Sequence, residues 1–218
     1  MPSKRRNDSF VMNGNVYHFR DKTKLEYDAV AYNRIKDGGV RMDAPNKEEI
    51  YTIDDIYALP DGERAELIDG KIYYMAPPNT KHQRLVHFFD REIGSYIQSH
   101  KGECEVFPAP FAVFLNENDK NYVEPDISVI CDKNKITDKG CNGAPDWIIE
   151  IVSSSSRQMD YYKKLFKYRT AGVREYWVAD SEREFVTIYN FEKDSMEEYS
   201  FGKDMPVGIY KGFSLKIE

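Results

Sequence analysis

Apolar residues recur along the chain with two different spacings, one typical of helices and one typical of strands. Over residues 80–100 they recur every three or four positions, which predicts an amphipathic helix of about five turns. A shorter helix is expected after Thr52, where a Thr-Ile-Asp-Asp sequence has the form of a capping box. A third helix is expected over 157–171, ending at Gly172, because glycine readily takes the left-handed C-cap conformation.

Short apolar runs between turn residues predict the strands. Two runs, 65–68 and 71–75, flank an Asp-Gly pair, which favours a tight hairpin because both residues tolerate positive φ. The sequence DWIIEIV at 146–152 predicts a central strand. Further strands are expected at 103–107, 111–115, 126–131, 175–179, 185–191, 196–201 and 213–217. Together these elements predict an α/β protein.

The first 45 residues lack a sustained period of either kind. We interpret residues 1–45 as an N-terminal extension and residues 46–218 as one folded domain, a division that suits the length of 218 residues. The basic cluster Lys4-Arg5-Arg6 could contact phosphate, although a charged terminal tail is usually only solvated.

Composition narrows the class of protein. Hydrophobic residues make up 41% and charged residues 31%, which is typical of folded globular proteins and atypical of disordered ones. No apolar stretch approaches the roughly 18 residues of a membrane span, and no apolar segment follows the first basic cluster. We therefore expect a cytoplasmic protein without a membrane partner. Cys104, Cys131 and Cys141 form no CxxC pair and are expected to be free thiols in a reducing compartment.

The net charge of −6 argues against a protein that coats nucleic acid, because such proteins gain affinity from many Lys and Arg side chains. Any nucleic-acid site must therefore be local. The best candidates for a local basic surface lie in or just after the third helix, although cations on an exposed helix face are usually only solvated. They are Lys163, Lys164, Lys167, Arg169 and Arg174.

Three acidic residues, Glu66, Asp126 and Glu150, lie within or beside apolar runs that predict strands. An ionised carboxylate in such a run is costly to bury unless a cation, a hydrogen-bond donor or a metal compensates it. The pattern alone leaves two interpretations open. The residues form a functional cluster, or they are salt-bridged or water-facing residues of ordinary strands.

Several motifs stand in order over residues 52–180. They are ELIDG at 66–70, VEPDI at 123–127, IIEIV at 148–152 with the serines that follow, and Asp160 with Lys164, Tyr168, Gly-Val at 172–173 and Glu-Tyr-Trp at 175–177. Together they resemble the Uma-type restriction endonuclease family of the PD-(D/E)XK superfamily. The resemblance implies a restriction-endonuclease-like mixed β-sheet flanked by helices, here with additional C-terminal strands. It also implies a Mg²⁺- or Mn²⁺-dependent endonuclease that hydrolyses DNA.

The resemblance assigns residues as well. Asp126 matches the Asp of the PD element, Glu150 matches the acid of the (D/E)XK element, and Glu66 matches an acid that precedes them. The lysine expected two positions after Glu150 is absent, because a valine stands there. We expect Lys164 on the following helix to replace it, with Lys163 as the second candidate.

Carboxylates suit hard divalent ions, and Mg²⁺ needs only one or two of them directly. In the implied mechanism Asp126 and Glu150 bind the metal, and Glu66 binds it or holds a water. Lys164 is the catalytic cation that orients the water or the phosphate.

Neighbouring residues have more ordinary interpretations. His82 could donate to phosphate, but a partly buried structural histidine is the commoner case. Asp160 is expected to pair with Lys164 four residues later or to cap the helix. Tyr168 and Tyr176 are expected to be core residues, and the serines at 153–156 a capping segment.

Two further functions stay open. The chain could be a catalytically silent interaction module that recognises a partner through its N-terminal extension, or a hydrolase of another phosphoester at the same metal site. A homodimer would suit cleavage of both strands, because two sites related by a twofold axis match the symmetry of the duplex.

Overall fold

The structure is a computed structural model of the chain, and it describes residues 9–12, 15–18, 49–116, 118–152, 156 and 159–218. The chain consists of two compact units, Met1–Asn46 and Lys47–Glu218. In the first unit the described residues form an antiparallel pair of strands, β1 (Ser9–Met12) and β2 (Asn15–His18). The basic cluster at 4–6 lies outside the described residues.

The second unit contains three α-helices and thirteen strands in its described part. In chain order they are α1 (Ile53–Tyr57), β3 (Ala65–Ile68), β4 (Lys71–Tyr74), α2 (Thr80–Ser99), β5 (Glu105–Pro108), β6 (Val113–Phe114), β7 (Ile127–Ile130), β8 (Ile136–Thr137), β9 (Gly140–Asn142), β10 (Trp147–Val152), α3 (Leu165–Ala171), β11 (Glu175–Asp180), β12 (Phe185–Asn190), β13 (Ser195–Ser200), β14 (Met205–Pro206) and β15 (Ser214–Leu215).

A six-stranded mixed sheet, in the order β13-β12-β11-β10-β7-β5, forms the centre of this unit. Its two middle strands, β10 and β11, run parallel, and every other neighbouring pair is antiparallel. All six residues of β10 and all six of β11 are buried, as expected for strands covered on both faces. The predicted mixed sheet and its central strand are therefore confirmed.

One face of the sheet is covered by α2. The helix begins after Asn79, whose side chain accepts the backbone N–H of His82 at 2.9 Å. Its apolar stripe, which includes Phe89 and Ile93, packs against the odd-numbered residues of β10 in one hydrophobic core. The amphipathic helix predicted over 80–100 is confirmed. The C-terminal strands β14 and β15 contribute to the same core.

The opposite face carries α3 and a π-helical segment, Met159–Lys164, that leads into it. The predicted third helix is thus present but starts with wider turns, and residues 153–155 and 157–158 lie outside the described residues. The hydroxyl of Tyr176 donates to the Asp160 carbonyl at 3.1 Å, which occupies an acceptor of the helix backbone. The helix ends at Gly172 with φ 98°, as predicted.

Three smaller pieces complete the described unit. The hairpin of β3 and β4 turns through Asp69 and Gly70, which have φ values of 53° and 74°, as the Asp-Gly pair predicted. The predicted capping box before α1 is also present, since the Asp55 carboxylate accepts the Thr52 backbone N–H at 2.7 Å. Strands β6, β8 and β9 form a separate three-stranded sheet.

The prediction of three free thiols is wrong for two of them. Cys104 and Cys131 form a disulfide, with a Cα–Cα distance of 3.9 Å, whereas Cys141 is free and buried. The physical reason is the strand register. Because β5 and β7 are antiparallel and pair Glu105 with Ile130, the next residue outward on each strand is a cysteine facing its counterpart.

No helix in the described part of the chain is both long and apolar enough to cross a membrane.

Candidate active site

Asp126 and Glu150 meet where β7 begins beside the central strand. The strands are antiparallel and pair Ile127 with Ile149, so the residues one step further along lie next to each other. The backbone N–H of Ile151 donates to Oδ2 of Asp126 at 2.8 Å and fixes that carboxylate against β10. The separation of 24 positions between the two acids is therefore closed by strand pairing.

Glu66 comes to the same place from the hairpin. Its strand β3 is bound to the chain segment before β7, because Leu67 and Tyr122 exchange two backbone hydrogen bonds of 2.7 and 2.8 Å. The Glu66 Oε1 atom accepts the backbone N–H of Glu124 at 3.0 Å. Only 4% of Glu66 is exposed, so its carboxylate depends on these internal partners.

Lys164 reaches the acids from the end of the π-helical segment. Its Nζ lies 2.8 Å from Oε2 of Glu66, 3.0 Å from Oε1 of Glu150 and 3.6 Å from Oδ1 of Asp160. The last contact is the i,i+4 pair that the sequence predicted. Burial opposes the charge of the ammonium group, but the three carboxylates raise the pKa of Lys164 well above its usual value. The ammonium group of Lys164 therefore lies among the acids, where the sequence analysis expected a lysine.

Tyr168 also lies in this cluster, although the sequence analysis expected only a core residue. Its ring is fully buried, and its hydroxyl donates to Oε1 of Glu150 at 2.6 Å. The residue lies four positions after Lys164, so both side chains point from the same helical face toward one carboxylate oxygen. Among the described residues, the hydrogen bonds to Glu150 all end on this oxygen. A tyrosine in place of phenylalanine at this spacing was the available signal.

His82 is the second residue whose position the sequence left open. Its Nε2 lies 3.1 Å from each oxygen of Asp126, across a sequence separation of 44 residues. The other ring nitrogen, Nδ1, is buried and has no hydrogen-bond partner among the described residues. The ring therefore contacts the carboxylate cluster through Nε2.

Negative charge exceeds positive charge in this cluster. Burial raises the pKa of the Glu150 carboxyl well above its usual value, and the charges of Asp160, Asp126 and Glu66 raise it further, against the opposing effect of Lys164. Burial also raises the pKa of Asp160. Four carboxyl groups around one lysine would be stabilised by a further cation.

The cluster fits a hard divalent metal by charge and by ligand type. Carboxylate oxygens are the ligands that Mg²⁺ and Mn²⁺ prefer, and Mg²⁺ takes few of them directly. As they stand in the described part of the chain, no three His, Cys, Asp or Glu side chains form a ready-made metal-binding group. Instead, the ammonium group of Lys164 bonds to both Glu66 and Glu150, and Nε2 of His82 bonds to Asp126.

The cations predicted as a local basic surface are not an array of exposed, unpaired charges. Lys164 is buried in the cluster, and the other four contact side chains on neighbouring elements. Lys167 pairs with Asp69, Arg169 with Asp194, Arg174 with Glu192 at 2.8 Å and Asp146 at 3.1 Å, and Lys163 donates to the Tyr73 hydroxyl at 2.7 Å. The sequence placed these residues in or just after one helix, but it could not show which side chains lie opposite them.

Comparison with known proteins agrees with this architecture. The Uma2 family model, described as "Putative restriction endonuclease", matches residues 53–218. A solved structure described as a putative nuclease belonging to DUF820, from Anabaena variabilis, superposes with a TM-score of 0.63. It is 23% identical in sequence, and the match covers 76% of this chain and 94% of the other, which shows a common fold. No curated protein matches the chain. Because the family model covers most of the chain, this protein belongs to the Uma2 family of restriction endonuclease-like proteins.

Proposed function

We propose that this protein is a metal-dependent endonuclease that hydrolyses phosphodiester bonds in DNA. The observation that carries the proposal is the convergence of four carboxylates and one lysine, contributed by distant parts of the chain, in a buried cluster with excess negative charge. Membership of a restriction endonuclease-like family supports nuclease chemistry at this site.

Asp126 and Glu150 would hold a Mg²⁺ or Mn²⁺ ion, and Glu66 would bind the ion or a water attached to it. When bound, such an ion supplies an activated water and polarises a phosphoryl oxygen. The carboxylates are prepared for this task, because backbone N–H groups already fix one oxygen of Asp126 and one of Glu66. These two oxygens are thus held in place before an ion binds.

Lys164 would act on the reacting phosphate. Its ammonium group donates to Glu66 and Glu150, which leaves one of its three N–H groups for a water or a phosphate oxygen. A charge fixed in a partly dry site stabilises a developing negative charge more effectively than one in water. Lys164 can therefore orient the attacking water or neutralise the phosphate, which is the role that the missing strand lysine would have had.

The first experiment is a cleavage assay on supercoiled plasmid with Mg²⁺, with Mn²⁺ and with chelator. Wild type is compared with Asp126→Ala, Glu150→Ala and the control Glu63→Ala, whose side chain is exposed three residues before Glu66. We expect metal-dependent nicking that both site variants lose and the control retains. The same proteins are titrated with Mn²⁺ by calorimetry.

The other outcomes separate the competing functions. A wild-type protein that binds Mn²⁺ and cuts RNA or nucleotides, but no DNA, would replace DNA with another phosphoester. A folded wild type that neither binds Mn²⁺ nor cleaves any of these substrates would contradict the proposal and favour an interaction module built on the nuclease fold.

A further inference from the structure

We infer that His82 is a positioning residue that orients the Asp126 carboxylate for metal binding. The inference rests on the proposed function, since it gives His82 a task at the same site. It begins from a contact between the first turn of α2 and the residue before β7, in which Nε2 of His82 lies 3.1 Å from each of the two Asp126 oxygens.

The contact identifies the nitrogen that acts. An ionised carboxylate only accepts hydrogen bonds, so Nε2 carries the proton that lies between the two residues. Nδ1 is buried, without a hydrogen-bond partner in the described part of the chain, and therefore cannot reach a phosphate in solution. A direct role of His82 as a phosphate donor through Nδ1 is thereby excluded, and the effect of the ring passes through Asp126.

The ring is held by a rigid support. His82 stands in the first turn of the 20-residue helix α2, and the Asn79 side chain caps its backbone N–H at 2.9 Å. Two and three turns further on, Phe89 and Ile93 are fully buried in the sheet core and anchor the helix. The helix start is tied down as well, because Nζ of Lys81 donates to the Ser181 carbonyl at 3.3 Å.

Asp126 therefore has donors from two directions. The backbone N–H of Ile151 bonds to Oδ2, and Nε2 of His82 approaches both oxygens from the helix. A carboxylate held by two donors has lost its rotational freedom before any ion arrives, so it binds a metal at a smaller entropic cost. Without His82, only the bond from β10 would restrain the side chain.

Two substitutions distinguish the ring nitrogens. In His82→Gln the amide nitrogen stands about where Nε2 was and can still donate to Asp126, whereas in His82→Asn the amide stands near the position of Nδ1 and is too short. His82→Ala removes both. The matched control is His87→Ala, which removes an exposed histidine from the same helix.

The test is Mn²⁺ binding by calorimetry, supported by thermal unfolding and by kcat and KM on plasmid. We expect His82→Ala and His82→Asn to weaken Mn²⁺ binding about 10- to 100-fold, as is usual for a partner of a metal ligand. His82→Gln should stay close to wild type, and His87→Ala should not differ from it. Cleavage should fall through kcat, with KM for DNA little changed.

Three results would overturn the inference. One is unchanged Mn²⁺ affinity in His82→Ala, and another is rescue by Asn instead of Gln. The third is loss of the folded state in all three His82 variants but not in His87→Ala, which would make the residue purely structural. A wild type that binds no Mn²⁺ at all would refute the metal site itself, and is thus distinguishable from a failure confined to His82.

Discussion

Two buried glutamates on adjacent parallel strands show how differently one residue type is used in this protein. Glu150 on β10 pairs with Val178, and Glu175 on β11 pairs with Trp147, so the two side chains leave opposite faces of the sheet. Glu150 is 5% exposed and Glu175 is fully buried. Burial alone therefore does not distinguish them.

Their partners do distinguish them. Neutral donors surround Glu175: Oε1 accepts the indole N–H of Trp177 at 2.6 Å, and Oε2 accepts the backbone N–H of Ile209 at 2.9 Å. Burial raises the pKa of Glu175, and its hydrogen bonds, including one from the Gly208 backbone, partly offset that effect. Glu150 instead lies among other acids, whose charges raise its pKa further. The neutral donors around Glu175 are those of a structural carboxylate, whereas the crowding of acids around Glu150 supports the role that we propose for it.

The largest effect is expected from Glu150→Gln. The amide oxygen can still accept from Lys164 and Tyr168, but the charge that would bind the metal is gone. We expect metal-dependent cleavage to fall by about 10²- to 10³-fold, the scale of losing one preorganised charged group. The free energy of unfolding should stay within about 1 kcal/mol of wild type, because one of the crowded charges is removed. Plasmid cleavage and urea denaturation measure the two quantities.

Glu175→Gln should give the reverse result. A glutamine has one acceptor oxygen, so its amino group must face an N–H donor at the position of the other oxygen. We expect a loss of about 2 kcal/mol in the free energy of unfolding, the usual cost of a buried unpaired group, with plasmid cleavage per folded molecule unchanged. If Glu175→Gln abolished cleavage without destabilising the fold, the division between the two glutamates would be wrong.

The two glutamates also show which features of the structure the sequence can predict. The runs around both residues predict strands, since each strand consists of large apolar residues with one acid. The motif singles out the acid of IIEIV, and Lys164 is a candidate because it lies on the following helix, four residues after Asp160. The hairpin, α2 and the central sheet followed from local patterns, because turn chemistry and periodicity act over a few residues.

What the sequence could not supply are contacts between distant elements. The hydrogen bond from Tyr168 to Glu150, the approach of His82 to Asp126 and the disulfide between cysteines 27 positions apart all depend on register and helix placement. The acids that pair with the helix cations come from elements whose positions no local pattern encodes.

A smaller effect at the Glu150 site is expected from Tyr168→Phe. The change removes the 2.6 Å hydrogen bond to Glu150 and leaves the buried ring in place. We expect kcat to fall about tenfold, as for other groups that orient a metal ligand, with little change in KM for DNA. The control is Tyr210→Phe, because the Tyr210 hydroxyl is buried without a partner in the described residues and its loss should not reduce cleavage. Equal rates for both variants would remove Tyr168 from the site.

The smallest effect concerns pH and belongs to Glu175. Burial raises the pKa of this carboxyl in the folded protein above its usual value of 4.5, so on acidification the folded state takes up the proton before the unfolded chain does. This contribution to stability is fully present below the unfolded value and is lost as the pH rises through the folded one. Relative to Glu175→Gln, which does not titrate there, wild type should become more stable as the pH is lowered from 7 toward 4.5. Urea denaturation of both proteins across this range measures the difference. A difference that shrinks on acidification would mean that the Trp177 and backbone donors outweigh burial, and that this carboxylate is held in its charged form by hydrogen bonds alone.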